Sequence, residues 1–69
     1  MNPKQEILKL KDGESWIWSE FDSGGAEIWL KFGVYFLFEI PQYGGDPVFA
    51  DYFPKHRIDA LIDKVNSWT

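Results

Sequence analysis

Cysteine is absent from the sequence, and histidine occurs once, at His56. Without cysteine the chain cannot form a disulfide, and a lone histidine cannot anchor a zinc site of the usual four-ligand kind. A chain of 69 residues has room for one small core, which such bonds commonly reinforce. We therefore expect a single domain over residues 1–69, with no metal and no cofactor. Its stability must come from aromatic packing, since Phe, Trp and Tyr make up 19% of the residues, or from burial against another chain.

The sequence also lacks an excess of positive charge and a long apolar run. Seven Lys and Arg residues stand against eleven Asp and Glu residues, which gives a net charge of −4. Direct binding to nucleic acid is not expected, because it needs clustered basic side chains, and a basic protein surface suits this chain better. The longest apolar run, 32–38, is far shorter than the ~20 residues that span a bilayer, and no signal-peptide pattern opens the chain. We expect no membrane contact and a cytoplasmic location.

The dipeptide Asp12-Gly13 lies between two runs of mixed apolar and polar residues. Asp-Gly is among the strongest signals for a two-residue hairpin turn, because both turn positions need a positive φ. We therefore predict an amino-terminal hairpin with strands over residues 5–11 and 14–21. In the second of these strands, alternation places Trp16 and Trp18 on one face.

Residues 28–40 carry an apolar residue at every second position, which is the period of a strand. These residues are Ile28, Leu30, Phe32, Val34, Phe36, Phe38 and Ile40. A straight strand of this length would span roughly 43 Å, whereas a domain of this size has a radius of gyration of about 11 Å. We predict one strand bent at Gly33, and the alternative is a break there into two strands.

The segment Pro-Gln-Tyr-Gly-Gly-Asp-Pro at 41–47 has two adjacent glycines and raises the question of a phosphate-binding loop. Such a loop needs converging backbone N–H groups that lead into a helix, but Asp46 is an anion and Pro47 has no N–H. Pro41 ends a strand, and Gly44-Gly45 permits a reversal of the chain. The sequence therefore predicts a turn here, followed by another strand over 48–53.

The last segment has a helical period that begins after Pro54, a residue suited to a first helical turn. Its apolar stripe consists of Ile58, Leu61, Ile62, Val65 and Trp68. The predicted fold class is therefore α+β: a small, strongly twisted antiparallel sheet of four or five strands, in β-β-β-β-α order, with one C-terminal helix packed on one face.

Three basic residues, Lys55, His56 and Arg57, lie in the first turn of this helix. The helix dipole disfavours cations there, so one interpretation is an anion-binding site. The simpler interpretation is that these long side chains are hydrated, since the penalty is only ~1 kcal/mol or less. Both interpretations remain open.

Four aromatic residues are the candidate partner-binding site: Trp16, Trp18, Trp29 and Tyr35. We expect the helix to pack on the side of Phe32, Phe36 and Phe38, which would leave these four rings uncovered. Their combined area would be comparable with the ~800 Å² that one partner contributes to a standard interface. The alternative is that a curled sheet buries some of them within the chain.

The chain shows no set of residues to which catalytic roles can be assigned, so we expect that it is not an enzyme. The favoured function is a small acidic binding module or inhibitor, which by analogy of size and charge resembles those of phages and mobile elements. One alternative is a structural homodimer through the same aromatic residues, in which two chains stack sheet on sheet or join edge on edge. Another is an acidic mimic of nucleic acid, in which carboxylates occupy the phosphate sites of a target. The candidate carboxylates for this mimicry are Glu20, Asp22, Glu27, Asp46 and Asp51.

Overall fold

Four antiparallel strands form one sheet, and a helix lies before and after them in the chain. The structure is a computed structural model that describes residues 3–20, 24–43 and 45–68, apart from the side chains of residues 19 and 20. The elements are α1 (Pro3–Lys9), β1 (Ser15–Glu20), β2 (Gly24–Lys31), β3 (Val34–Ile40), β4 (Val48–Pro54), a 3-10 turn (Lys55–Arg57) and α2 (Ile58–Ser67). The strands lie side by side in the order β1-β2-β3-β4. The predicted α+β class, with an antiparallel sheet followed by a C-terminal helix, is confirmed.

The predicted strand over residues 5–11 is wrong, because residues 5–9 lie in helix α1 and the two residues after it are not in a strand. Ile7 and Leu10 lie three residues apart and pack on the core, a spacing that suits a helical face. Asp12-Gly13 does reverse the chain, with a φ of 91° at Gly13, but it joins a helix to a strand. The turn signal was therefore correct, while the conformation of the segment before it was decided by packing.

The apolar run 28–40 forms two strands that meet at a two-residue hairpin, so the predicted single bent strand is wrong and the alternative is confirmed. Phe32 and Gly33 form the turn, with φ values of 55° and 73°. Positive φ at both positions is the requirement of the turn that best matches the twist of a hairpin. The longest dimension of the molecule, 32 Å, is also shorter than the ~43 Å of an unbroken strand.

The hairpin changes which residues share a face of the sheet. Leu30 is paired with Tyr35, so even-numbered residues of β2 lie on the same face as odd-numbered residues of β3. The apolar residues at every second position of 28–40 therefore do not share one face. Those of β2 lie on the core face, and those of β3 lie on the opposite face. Phe36 and Phe38 lie opposite the face that contains Leu30, and the predicted packing of the helix on their side is wrong.

The core lies between the sheet and both helices, on one face only. Its buried residues are Ile7 from α1, Ala26, Ile28, Leu30, Tyr35, Leu37 and Phe53 from the sheet, and Leu61, Ile62 and Val65 from α2. The apolar stripe of α2 is as predicted, with Ile58 and Trp68 partly buried at its two ends. Lys64 Nζ lies 3.5 Å from Asp51 Oδ2 and joins the helix to β4. Neither of the described helices has the length and apolar character needed to cross a membrane.

The turn over 41–47 follows β3 directly, as predicted, since the strand ends at Ile40 before Pro41. Gly45 has a φ of 122°, while Gly44 lies outside the described residues. The predicted strand over 48–53 is confirmed by β4. The pairing of β3 with β4 shifts by one residue between Leu37 and Phe38, which marks a β-bulge.

Gly24 provides a test of the sheet geometry. Its φ is 80°, and a Cβ added there would overlap the carbonyl oxygen of Ile40. Gly24→Ala should lower the free energy of unfolding by about 2–4 kcal/mol, measured by urea denaturation. Gly13→Ala is the matched control, because its φ is 91° but no atom lies within 4 Å of the added Cβ. Its cost should be only about 1 kcal/mol, and equal losses in the two variants would contradict the close approach at Gly24.

Candidate binding surface

The face of the sheet opposite the helices is apolar, and we call it the open face. Its aromatic and most exposed apolar members are Ile17 from β1, Trp29 from β2, Phe36 and Phe38 from β3, and Phe49 and Tyr52 from β4. Ile17, Phe49 and Tyr52 are 58%, 53% and 59% exposed. The other three are half-buried by their neighbours on the same face. Residues from all four strands therefore contribute to one aromatic surface that faces solvent.

The indole ring of Trp29 is held in place by its neighbours along β2. Its Nε1 donates a hydrogen bond of 2.7 Å to Glu27 Oε2, and Lys31 Nζ lies 5.2 Å from the ring centroid. The hydrogen bond satisfies the polar edge of the ring, while the cation lies over its π face. A shallow cavity of about 250 Å³ is lined by Trp29, Lys31, Phe36 and Phe38. The open face thus combines an ordered ring with a concavity beside it.

The bulge in β4 places a second aromatic pair on the open face. Leu37 is paired with Asp51, but the next residue, Phe38, is paired with Phe49 because Ala50 is the extra residue. The Phe38 and Phe49 rings pack edge to face, with centroids 5.8 Å apart and an angle of 74° between their planes. An unshifted register would have placed Ala50 opposite Phe38. The bulge therefore increases the aromatic area of this face.

The predicted grouping of Trp16, Trp18, Trp29 and Tyr35 on one uncovered face is wrong. Only Trp29 lies on the open face. Tyr35 is 2% exposed in the core, and Trp16 packs against the core from the helix side of the sheet. Trp18 lies on the same side as Trp16 and is half-buried. The alternative that the fold buries some of these rings holds for Tyr35, while partner binding by Trp16, Trp18 or Trp29 stays a prediction.

Of these six residues, only Trp29 belongs to the candidate site predicted from the sequence. The sequence predicts Phe36 and Phe38 on the helix side, and Ile17, Phe49 and Tyr52 are not among the predicted site residues. The signal that could have found them is Phe32-Gly33, since a two-residue reversal there exchanges the faces of the following strand.

The tip of the hairpin between β2 and β3 presents a separate exposed aromatic ring. Phe32 is 91% exposed. Its neighbour Gly33 is held on both sides: the N–H of Gly33 donates to Asp12 Oδ1 at 3.1 Å, and its carbonyl oxygen accepts from the N–H of Lys55 at 2.9 Å. The left-handed backbone of Phe32 is unfavourable for an aromatic residue. The fold therefore holds an exposed Phe in a costly conformation.

The basic residues Lys55, His56 and Arg57 are all exposed on the 3-10 turn before α2. The backbone N–H of Lys55 is already bound to Gly33, so it is not free to bind an anion. The anion-binding role of this cluster stays a prediction.

Within the described part of the chain, no group of three or more His, Asp or Glu residues is placed to hold a metal ion.

Two of the carboxylates proposed for nucleic-acid mimicry, Glu27 and Asp51, lie on opposite faces of the sheet. Glu27 binds the indole of Trp29 on the open face. Asp51 lies near Lys64 on the helix side, and its Oδ1 also accepts the N–H of Tyr52 at 2.8 Å. Asp22 and the side chain of Glu20 lie outside the described residues.

In comparisons with known proteins, no family model, no curated protein and no solved structure matches the chain.

The burial of Tyr35 predicts a loss of stability at alkaline pH. Burial raises the pKa of its phenol above the ordinary value of 10.0. The stabilising effect of the neutral phenol is complete below pH ~10 and is lost as the pH rises through the folded-state pKa, because the unfolded chain releases the proton first. Urea denaturation between about pH 8 and pH 11 should show this decline, and Tyr35→Phe should reduce it. An unchanged slope in Tyr35→Phe would contradict the assignment of this decline to Tyr35.

The backbone of Phe32 predicts a stabilising substitution. Asn tolerates a positive φ, and Asn-Gly is the preferred pair for this turn. Phe32→Asn should therefore raise the free energy of unfolding by about 1 kcal/mol in urea denaturation. Phe32→Ala removes the same exposed ring without relieving the backbone, so it should change stability little. A destabilised Phe32→Asn variant would show that the ring supports the fold.

Proposed function

We propose that the chain is a non-catalytic, acidic protein-binding module of the inhibitor or adaptor type, which binds another protein through the open face. The observation that carries this proposal is the contiguous apolar surface formed by four strands, on the side of the sheet that the helices do not cover. A cytoplasmic location is part of the proposal.

The size of the open face supports the proposal. Aromatic side chains bury ~150–250 Å² each when they are fully covered, and Ile17, Phe49 and Tyr52 still expose more than half of their surface. Contiguous apolar patches on monomers rarely exceed a few hundred Å², and larger ones mark interaction sites. Trp and Tyr are also the residues that most often dominate binding energy at interfaces. The composition and the extent of this face both favour an interface.

The rigidity of the open face also supports binding. Trp29 is held by Glu27 and lies beneath Lys31, and Phe38 and Phe49 pack against each other on paired strands. Side chains that are already ordered lose little conformational entropy when a partner covers them. A partner would therefore meet a preformed surface.

The charge of the chain indicates the chemistry of the partner. The net charge is −4, so long-range attraction favours a partner with a basic surround. The centre of its surface would be apolar, to match the rings of the open face. A protein with an apolar patch inside a basic rim fits both requirements.

Phe32 supplies a second argument for an interaction. Its ring is exposed and its backbone is unfavourable, so the contacts of the chain itself do not explain the residue. Strained residues of this kind occur most often at functional positions. We propose that Phe32 contacts the partner from the hairpin tip.

The test combines affinity capture with measured binding. Wild type and the double variant Phe49→Ser/Tyr52→Ser would be used to capture proteins from a lysate of the source organism, with quantification by mass spectrometry. Leu8→Ser is the matched control, because Leu8 is 56% exposed but belongs to α1 and not to the open face. A partner captured by wild type and by Leu8→Ser should be lost with the double variant. Its affinity, measured by calorimetry, should fall by roughly 30-fold or more.

The salt dependence of binding distinguishes this proposal from nucleic-acid mimicry. Aromatic contacts depend weakly on ionic strength, whereas a mimic of phosphates should lose affinity steeply as salt is added. Equal affinity of the double variant and wild type would refute binding through the open face, and a steep salt dependence of that unchanged affinity would favour nucleic-acid mimicry instead.

A further inference from the structure

Strand β1 lies at an edge of the sheet, and its sequence is symmetric. Residues 15–19 have the sequence Ser-Trp-Ile-Trp-Ser, which is the same in both directions. Their pairing with β2 is regular, with no bulge along Ser15–Glu20. A strand of this kind is complementary to a second, antiparallel copy of itself about a two-fold axis through Ile17.

The backbone groups of β1 that point away from the sheet can be assigned from its pairing with β2. The N–H of Leu30 donates to the carbonyl oxygen of Glu14 at 3.0 Å, so Glu14 points toward β2. In an antiparallel pair the direction alternates along the strand, so Ser15, Ile17 and Ser19 point outward. In the described part of the chain, no other strand pairs with this edge.

The opposite edge of the sheet, strand β4, is protected. Pro54 has no N–H to donate, and the N–H of Tyr52 is bound to the carboxylate of Asp51. The bulge between Leu37 and Phe38 also interrupts the regular ladder on this side. Proline, bulges and side-chain contacts are the usual means by which proteins prevent pairing at an edge. The protection of β4 and the regular edge of β1 therefore differ clearly.

We infer that two copies of the chain pair through β1, antiparallel and about a two-fold axis at Ile17, to form a continuous sheet. In this register Ile17 faces Ile17 of the second copy as a hydrogen-bonded pair, and Ser15 faces Ser19 of the second copy in the same way. Each of these residues exchanges its outward N–H and C=O bonds with the opposing strand.

The same register places Trp16 opposite Trp18 of the second copy. These are non-hydrogen-bonded positions, where opposed side chains approach most closely, and aromatic pairs there stabilise a sheet. A cavity of about 340 Å³ lies beside Trp16, lined also by Glu6, Lys9, Leu10, Glu14 and Ser15. It provides space beside β1 for the indole of the opposing Trp18. The half-buried tryptophans of β1 thereby acquire a contact that the isolated chain does not supply.

The ends of the paired strands work against association, because Glu14 is placed opposite Glu20 of the second copy. Like charges at opposed positions are destabilising, and salt screens them. An edge pairing of this length also covers less than the ~800 Å² per partner of a standard interface. We therefore expect a dimer with micromolar dissociation, which tightens when salt is added.

This dimer goes beyond the proposed function and does not depend on it, since the open face remains uncovered when the sheets join side by side. It would bring the two Ile17 side chains together and make one open face from two. Stacking of two open faces is a different dimer, in which Phe49 and Tyr52 lie at the interface.

The experiment removes one outward N–H without changing a side chain. The chain is short enough for chemical synthesis, so Ile17 can be replaced by its N-methyl form, with N-methyl-Tyr52 at the protected edge as the matched control. Sedimentation equilibrium should give a dimer, twice the 8.1 kDa of the monomer, for wild type and for N-methyl-Tyr52 at concentrations up to about 1 mM. N-methyl-Ile17 should remain monomeric, with circular dichroism confirming the fold.

A second measurement on wild type covers the case in which N-methyl-Ile17 does not fold. Amide hydrogen exchange at Ile17 should slow as the protein concentration rises, whereas exchange at Tyr52 should not change. A monomer at about 1 mM, or exchange at Ile17 that is independent of concentration, would overturn the inference. So would a dimer that N-methyl-Ile17 keeps and Phe49→Ser/Tyr52→Ser loses, since that pattern identifies stacked open faces. Unchanged partner capture by Phe49→Ser/Tyr52→Ser, together with an intact dimer, would contradict only the proposed function.

Discussion

The structure depends on the burial of one face of the sheet by two short helices. Ile7 from α1 and Leu61, Ile62 and Val65 from α2 cover the residues of β2 and β3 that point to the same side. A chain of 69 residues does not provide a second layer for the other side. Because that side is nevertheless rich in aromatic residues, the molecule has an apolar surface that its own helices leave exposed.

Contacts between neighbouring side chains hold the aromatic rings of the open face in place. The bulge in β4 places Phe49 instead of Ala50 next to Phe38, and the contacts of Glu27 and Lys31 hold Trp29. None of these contacts is needed to close the core, which lies on the opposite face. They are more simply understood as features of a surface that a partner covers, since each of them arranges apolar side chains in advance of binding.

The two edges of the sheet differ in whether they can pair with a further strand. Pairing is opposed at β4 and is favoured at β1. At β4, Pro54, the Asp51 side chain and the bulge oppose pairing. At β1 the strand is regular, and its palindromic sequence suits a copy of itself. The open face and the β1 edge are perpendicular surfaces, so a partner protein and a second copy could occupy them at the same time.

The sequence by itself determined the elements whose signals are local. The period of the apolar stripe predicted helix α2, Pro41 marked the end of β3, and the segment 48–53 was predicted as the strand that β4 forms, because each signal depends only on neighbouring residues. Tertiary structure decided that residues 5–9 lie in a helix, since Ile7 is buried in the core that both helices form with the sheet. It also decided where the run 28–40 reverses, and with it the face on which each aromatic ring lies. A turn of two residues exchanges the faces of every residue that follows, so Tyr35 entered the core and Phe36 and Phe38 came to face solvent.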